Sequence, residues 1–485
     1  MVTQKIPTLG LALDQDAPLY PEWEYTWRQI FRMLGAEFVL IESDDIPPIV
    51  IRYGEPKNPI PGDRFIISIP ETLRSGPVHL AAQDKPCRME RVGGPISLPT
   101  ECFSLFQKKV SASRIIWMQS QSEPDFNISV SENEAICSID IAATVFYSLS
   151  LGNEKRTPKR DQYGRFKSTF SPLGEDYYQT PVVDRLVRLL RELIQYGAAR
   201  QGVEGFVSVW PHGKSFVTAL SHDVDKFQNW TLAKIKRSWQ ASHSLRPLLL
   251  AMSPISRSGN FRFIHELEAR YGGSSTTFLV GQKRTKRDPG YSLKDGRIQN
   301  QLSSLPSIGL HGSFSGATTS GHTIEERRRV EEATDRRIMG VRSHYLMFDP
   351  DQTFNLFTEA GLIYDSTLGF AEAAGWRCGT GFPYHPWNFQ ERQPHSILEL
   401  PLVVMDTSLF LYAGLSADQA WERISPILEE TKANGSCLAV NWHNNNLHSG
   451  DATGYTKLYE TILDWSKSNG GWITATDSLI QHWKK

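Results

Sequence analysis

Residues 216–225 read FVTALSHDVD. A short apolar run, Phe216–Leu220, ends in three titratable side chains, His222, Asp223 and Asp225. A run of that length between polar flanks reads as a strand buried on both faces. The pattern returns downstream. TTFLVG spans 276–281, SIGL at 307–310 leads into His311, and MGV at 339–341 leads into Arg342, Ser343 and His344. ILELPLVVM at 397–405 ends in Asp406, and CLAVNW at 437–442 ends in His443. Helical patterns lie between these runs, such as HTIEERRRVEEATDRRI at 322–338, where Thr323 and Glu326 fit a capping box. Strands alternating with helices predict an α/β unit on a mostly parallel sheet or barrel. In such folds reactive residues gather at the carboxyl ends of the strands. One polar ending means little; its repetition on successive strands carries the reading.

The chemistry of these endings admits two readings at each position. Asp223 and Asp225 stand at i and i+2, which on an ideal strand puts both on one face. Two close carboxylates repel, and a divalent metal is the natural counter-ion; the plain alternative is a helix N-cap. A lone His311 at a strand end is a packing residue, but His and Asp side chains around an open position form the pattern of a catalytic zinc. Arg342 suits a bidentate pair with Asp223 or with a substrate oxygen, and His344 suits a ligand. The alternative for Arg342 is a buried ion pair without chemistry. His443 has an ordinary pKa fit for proton transfer near neutrality. Asn444 beside it offers hydrogen bonds to a sugar or amide, against the alternative of a turn.

Away from these motifs the chain is of ordinary composition. It has 485 residues, 40% hydrophobic and 22% charged, with net charge −1. No strongly basic domain points to nucleic acid or to a polybasic membrane surface. Five scattered cysteines without a CxxC exclude a disulfide framework or a Cys-rich zinc site. The start, MVTQKIPTLGLALDQD, does not read as a signal peptide, and no long apolar run predicts a membrane span. The expected compartment is the cytoplasm, with reduced, buried cysteines. Residues 1–205 read as a separate N-terminal α/β domain. A helix is predicted over 23–34, closed by Gly35. Strands are predicted in IPPIVIRYG and RFIISIP, a buried helix in SIDIAATVFYSLS, and a helix over 182–196. The loop charges in RDQYGRF read as a solvated face or an interdomain contact. This half holds no catalytic constellation.

Residues 206–485 resemble the polysaccharide deacetylases of the NodB-homology fold, carbohydrate esterase family 4. LSHDVD resembles the family's first motif, IGLHGSFS its second, GVRSHY its arginine motif, PLVVMDTS its fourth and NWHN its fifth, in the family's order. FTEAGLIYDSTLGF and GWRCGT look like a subgroup linked to bacterial surface polysaccharides, whose catalytic domain follows an uncharacterised domain similar to the N-terminal half here.

The resemblance implies a distorted (β/α) barrel of about seven strands and a zinc-dependent carbohydrate N-deacetylase acting on a surface polysaccharide or its precursor. It makes Asp223 the general base, Asp225 and His311 metal ligands, Arg342 the residue that orients the base, and His443 the general acid. One position departs from the family. The second motif usually carries a second histidine four residues after the first, and Ser315 stands there. His344 is the expected replacement, ahead of His322, which opens the following helix. Asp406 is expected to tune His443 or bind substrate. Asp365 and Arg377 are expected to fix substrate or to brace a loop. Trp442, with Trp376 and Trp387, is a candidate for stacking on a sugar ring. Two rival functions stay open: a non-catalytic carbohydrate-binding protein with this fold, motivated by Ser315, and an amidohydrolase acting on a small non-sugar amide.

Overall fold

The apolar runs assemble into two separate α/β units, each built on its own sheet. The computed structural model describes residues 8–41, 46–71, 128–137, 139–171, 173–203, 206, 208–227, 260–448, 451 and 453–485. Cys87 and Cys102 lie outside them. One unit takes Met1–Asn153, Pro172–Gly213 and Trp387–Pro394, and the other takes Glu154–Ser171, Lys214–Pro386 and His395–Lys485. Both units are therefore discontinuous in sequence.

The first unit carries β1 (Thr8–Ala12), β2 (Glu37–Leu40), β3 (Ile49–Tyr53), β4 (Phe65–Ile69), β5 (Ile128–Val130) and β6 (Glu134–Cys137) in the order β2-β1-β3-β4-β6-β5. Only β5 runs antiparallel to its neighbour. Sequence reading finds β3 and β4 but misses β1, a central strand with Gly10 in its middle. A Cβ there would come within 2.8 Å of Ile41. The helix Tyr20–Leu34 starts a turn before the expected residue, with a proline in its first turn, and ends at Gly35 with φ 70°. Its buried face includes Trp23, Trp27 and Phe31. The helix Ile141–Leu149 is buried along its whole length and is capped by Asp140, whose Oδ1 accepts from the Ala143 N–H at 2.9 Å. Val182–Gln201 is also helical.

The second unit carries β7 (Val217–Asp223), β8 (Thr276–Leu279), β9 (Ser307–Gly312), β10 (Gly340–Ser343), β11 (Tyr364–Asp365), β12 (Leu398–Glu399), β13 (Val404–Met405), β14 (Cys437–Asn441) and β15 (Trp472–Ala475). The order is β12-β11-β10-β9-β8-β7-β14-β13, with β15 also on β7. Every ladder is parallel. The coarser expectation, an α/β unit on a parallel sheet, describes what is observed; no ladder among the described residues joins β12 to β13 to close a barrel. Parallel strands place all their carboxyl ends along one edge. Register sets the neighbours there: Arg342 pairs with His311, and Met405 with Asn441.

Helices pack on this sheet through apolar faces. Trp376, Trp442, Val440, Leu438, Ile462 and Tyr459 share one core cluster with side chains of the helices Ala417–Asn434 and Tyr455–Ser468. The helix His322–Thr334 forms as predicted, but its N-cap is Gly321 rather than Thr323. Thr323 Oγ1 instead donates to the Gly316 carbonyl at 2.9 Å, and Glu326 accepts from Ser313 and Arg284. Both side chains are drawn to the loop after His311, where the Gly316 carbonyl needs a donor and the Ser313 N–H and hydroxyl need an acceptor more than a solvated helix end does. The reciprocal box appears at Ser416 and Gln419, at the start of Ala417–Asn434. Cys137, Cys378 and Cys437 are free and buried. Among the described residues, no helix is long and apolar enough to cross a membrane.

Candidate active site

The strand endings of the second unit meet at one edge of the sheet. Asp223 closes β7 and is 3% exposed. Its Oδ1 accepts from Arg342 Nη1 at 3.0 Å, and its Oδ2 accepts from Asn441 Nδ2 at 2.8 Å. Asn441 also accepts from the Asp223 N–H through its own Oδ1 at 3.2 Å. Arg342 is fully buried and holds its place through Ser366 and Ser221: Nε donates to the Ser366 carbonyl at 2.9 Å, Nη2 to Ser366 Oγ at 3.0 Å and Nη1 to Ser221 Oγ at 2.8 Å. Burial works against the Asp223 charge, but Arg342, with the His311 and His443 rings, outweighs it and holds the carboxyl below its usual range.

Asp225, His311 and His344 form a second cluster beside Asp223. Each offers one ligand atom, and these atoms all lie within 4.8 Å of one another. His311 Nε2 is 3.4 Å and His344 Nε2 is 3.5 Å from Asp225 Oδ1. Asp225 Oδ1 and His311 Nε2 are buried and take no hydrogen bond among the described residues. His311 Nδ1 sits 2.9 Å from the Arg342 carbonyl. A carbonyl only accepts, so Nδ1 carries the hydrogen and leaves the Nε2 lone pair turned to Asp225. Asp288 Oδ1 stands 3.5 Å from His344 Nδ1 on the far side of that ring. One carboxylate and two imidazoles, with His311 braced through Nδ1, are a donor set suited to a divalent metal. Burial opposes ionisation of Asp225, yet the His311, His443 and His344 rings hold its carboxyl well below the usual range. The same carboxylates raise His311 against the opposing effect of its burial. A metal ion replaces protons at such a site, because ligation needs neutral imidazole.

His443 follows β14 across the cluster, with Nε2 at 3.7 Å from Asp225 Oδ2. Asp406, just after β13, holds it at both ends: Oδ1 meets His443 Nδ1 at 2.7 Å, and Oδ2 accepts the His443 N–H at 3.0 Å. Asn446 Nδ2 also donates to Asp406 Oδ2 at 2.7 Å. Burial alone lowers the ring's pKa, but Asp406, then Asp225 and Asp223, push it up to about 10. These carboxylates favour the imidazolium form of His443, whose Nε2 faces the cluster.

The remaining expected residues are placed elsewhere. Arg377 is buried against Glu154, with Nη2 at 2.7 Å and Nε at 3.0 Å from the carboxylate. Asp365 is fully buried beside Glu399, its register partner on β12. Trp442 and Trp376 are fully buried in the core, where no sugar reaches them. Asn444 is buried and donates from Nδ2 to the Lys226 carbonyl at 3.0 Å. Ser315 and His322 contact each other, with Oγ and Nδ1 3.1 Å apart, and neither belongs to the ligand group. Arg165 and Asp161, in the RDQYGRF stretch, are a buried pair rather than a solvated face, with side chains 6% and 7% exposed.

Two residues in the site escape sequence reasoning. Asn441 precedes His443 by two positions, repeating the Asp223–Asp225 spacing at the end of β14. That spacing is the signal that was there to find. Asp288 lies in a DPG turn and carries no local sign of its role, which depends on a ring that comes from β10.

Comparisons with known proteins give distant likenesses. A family of unknown function, DUF7033, matches residues 16–198. No curated protein matches. Among solved structures, the chain is similar to a provisionally named polysaccharide deacetylase from Mycobacterium smegmatis, at 17% identity and TM-score 0.40, over 57% of this chain and 93% of that one. It is also similar to a pseudoenzyme of carbohydrate esterase family 4 from Bacillus anthracis, at 10% identity and TM-score 0.30, over 54% of this chain and 65% of that one. The third is the peptidoglycan deacetylase PdaC from Bacillus subtilis, at 12% identity and TM-score 0.25, over 56% of this chain and 91% of that one.

Proposed function

We propose that the protein is a metal-dependent hydrolase that removes an N-acetyl group from a sugar of a surface polysaccharide or its precursor. The observation that carries this reading is the joint placement of a doubly clamped Asp223, the Asp225–His311–His344 donor set and His443 backed by Asp406 at one sheet edge. It accords with the motif order in the sequence. Zinc is the expected ion, and when bound it supplies a Lewis acid that polarises the acetyl carbonyl.

The chain's own groups do the rest. Asp223 accepts a proton from the attacking water, and Arg342 and Asn441 keep it ionised and aimed. Water oxygen bonds to the acetyl carbon, the carbon–nitrogen bond breaks, and acetate leaves. His443 delivers its proton from Nε2 to the departing nitrogen, and Asp406 stabilises the charged ring until it does so. Ser315 leaves the second motif one imidazole short, and His344 from β10 fills that role, with Asp288 behind it.

The test is acetate release from a panel of N-acetylated oligosaccharides, nucleotide sugars and small non-sugar amides, with zinc added. Release from the sugars is expected, with Asp223→Asn slower by about a hundredfold or more. Release from the small amides alone would move the substrate class to the rival amidohydrolase. No release on any substrate, with sugar binding intact, would favour the non-catalytic binder.

A further inference from the structure

We infer that Arg165, paired with Asp161, is a positioning residue for the metal site: it clamps the left-handed turn that presents His344. The inference rests on the metal reading above and gives a task to one loop within the region matched by the family of unknown function.

The turn is unusual. Tyr345, directly after the ligand His344, has φ 63° and ψ 9°, and Leu346 has φ 54°. Two successive residues with side chains in the left-handed region are disfavoured by contacts between Cβ and the backbone. Such geometry persists where surrounding groups over-determine it, and it concentrates at functional sites. Here the over-determining group is identifiable. Arg165 Nη1 donates to the Tyr345 carbonyl at 3.1 Å, which fixes the plane of the peptide between the two left-handed residues.

Arg165 is itself held. Its Nε donates to Asp161 Oδ2 at 2.9 Å and its Nη2 lies 2.8 Å from the same oxygen. Asp161 Oδ1 accepts the N–H groups of Tyr163 and Arg165 at 2.8 and 2.9 Å, which closes the loop around the pair. The guanidinium also lies over the Tyr163 ring at 4.9 Å, and the Tyr345 ring packs on His344 with centroids 4.7 Å apart. The chain of contacts therefore runs from Asp161 to Arg165 to the Tyr345 carbonyl to the His344 ring, within one unit. A charge-assisted hydrogen bond to a carbonyl is a strong clamp where water is excluded. Without it, Tyr345 is free to relax toward right-handed backbone and carry His344 off its position near Asp225.

The test is zinc titration of the full-length protein against a chelating dye, with a double-mutant cycle. Arg165→Met is expected to weaken zinc binding about 10–100-fold, the usual effect of losing a group that orients a ligand. In a Tyr345→Gly background the same change is expected to have little effect, because glycine adopts φ near 60° unaided. A merely structural role for Arg165 would not be relieved by glycine at that position. Unchanged affinity in Arg165→Met, or a loss equally large in both backgrounds, overturns the inference. A crystal structure of metal-free Arg165→Met is the independent arm. Tyr345 is expected to leave positive φ, with His344 Nε2 drawn away from the 3.5 Å it keeps from Asp225; an unmoved turn overturns the inference even if the wild type binds no zinc. Absence of zinc binding in the wild type would instead sink the metal reading.

Discussion

Asp288 and Asp406 serve two different rings in the same way. Each is a carboxylate behind an imidazole, turned so that the opposite nitrogen faces Asp225. Asp288 is anchored by the N–H groups of Phe314, Arg284 and Thr285. Asp288→Ala is therefore expected to reduce zinc affinity by about one to two orders of magnitude, read by competition with a chelator. Asp406→Asn acts elsewhere. It leaves the ligand set intact but removes the charge that keeps His443 protonated, so kcat is expected to fall about a hundredfold while zinc binding holds. Equal losses of metal from both variants would show that the two rings do not have separate tasks. The residues readable from sequence are those that end strands: Asp223, Asp225, His311, Arg342, His344 and His443. Of their supports, Asp406 was readable and Asn441 left its spacing as a signal, whereas Asp288 was not readable, because its role is defined by a ring from another strand.

At the level of elements, β11 and β12 hold a buried acid pair, one member of which, Asp365, sequence reading expects to fix substrate or to brace a loop. Asp365 and Glu399 are register partners on adjacent parallel strands, both fully buried. Asp365 Oδ2 and Glu399 Oε2 take no hydrogen bond among the described residues. Burial pushes the Asp365 carboxyl up to about 6, and burial with the neighbouring Asp365 charge raises Glu399 further. The folded chain thus keeps a proton that the unfolded chain releases near pH 4. Stability is expected to fall as pH rises from about 4 through about 6, by an order of 3 kcal/mol. Urea midpoints across that range check it. Asp365→Asn should flatten the slope, and a slope unchanged by that substitution would place the titration elsewhere. The loop element at Glu154–Ser171 makes a comparable demand. Glu154 and Arg377 are ion-paired with side chains 3% and 2% exposed, so Glu154→Gln is expected to destabilise the protein by about 3 kcal/mol, read from denaturant unfolding. The helix and strand types in this unit follow from periodicity and composition. The misplaced capping box shows the limit of that method: Thr323 and Glu326 fit the local pattern, but the Gly316 carbonyl claims the one and the Ser313 donors the other.

For the whole molecule, the alternation of apolar runs and helical stretches conveyed the α/β class, and the five motifs conveyed which edge of the sheet to look at. The assignment of Glu154–Ser171 to the second unit was not readable, since nothing in GNEKRTPKRDQYGRFKS reports that Arg377 and the Tyr345 carbonyl await it. A fragment of residues 206–485 is therefore expected to give less soluble protein and a lower Tm than the full chain. It leaves Arg377 buried without its counter-ion, a loss that thermal unfolding would register. A fragment as stable as the full chain would show that the segment is dispensable.

The interleaving of the two units also bears on how the protein is made. Domains of a nascent chain ordinarily fold one after another as they leave the ribosome. Here the first unit includes Trp387–Pro394, where Tyr25 packs against Trp387 at 4.8 Å between centroids and Arg392 pairs with Glu22. At about 5–20 residues per second, the helix Tyr20–Leu34 waits roughly 20 s or more after its own synthesis for the antiparallel pair of Trp387–Asn388 and Gln393–Pro394. Trp23 and Trp27 meet Tyr53 early, but Tyr25, the ring that packs on Trp387, must be shielded meanwhile by other means or by a chaperone. Nascent chains ending before residue 387 should remain open to protease in the first unit, and chains that extend past residue 394 should close.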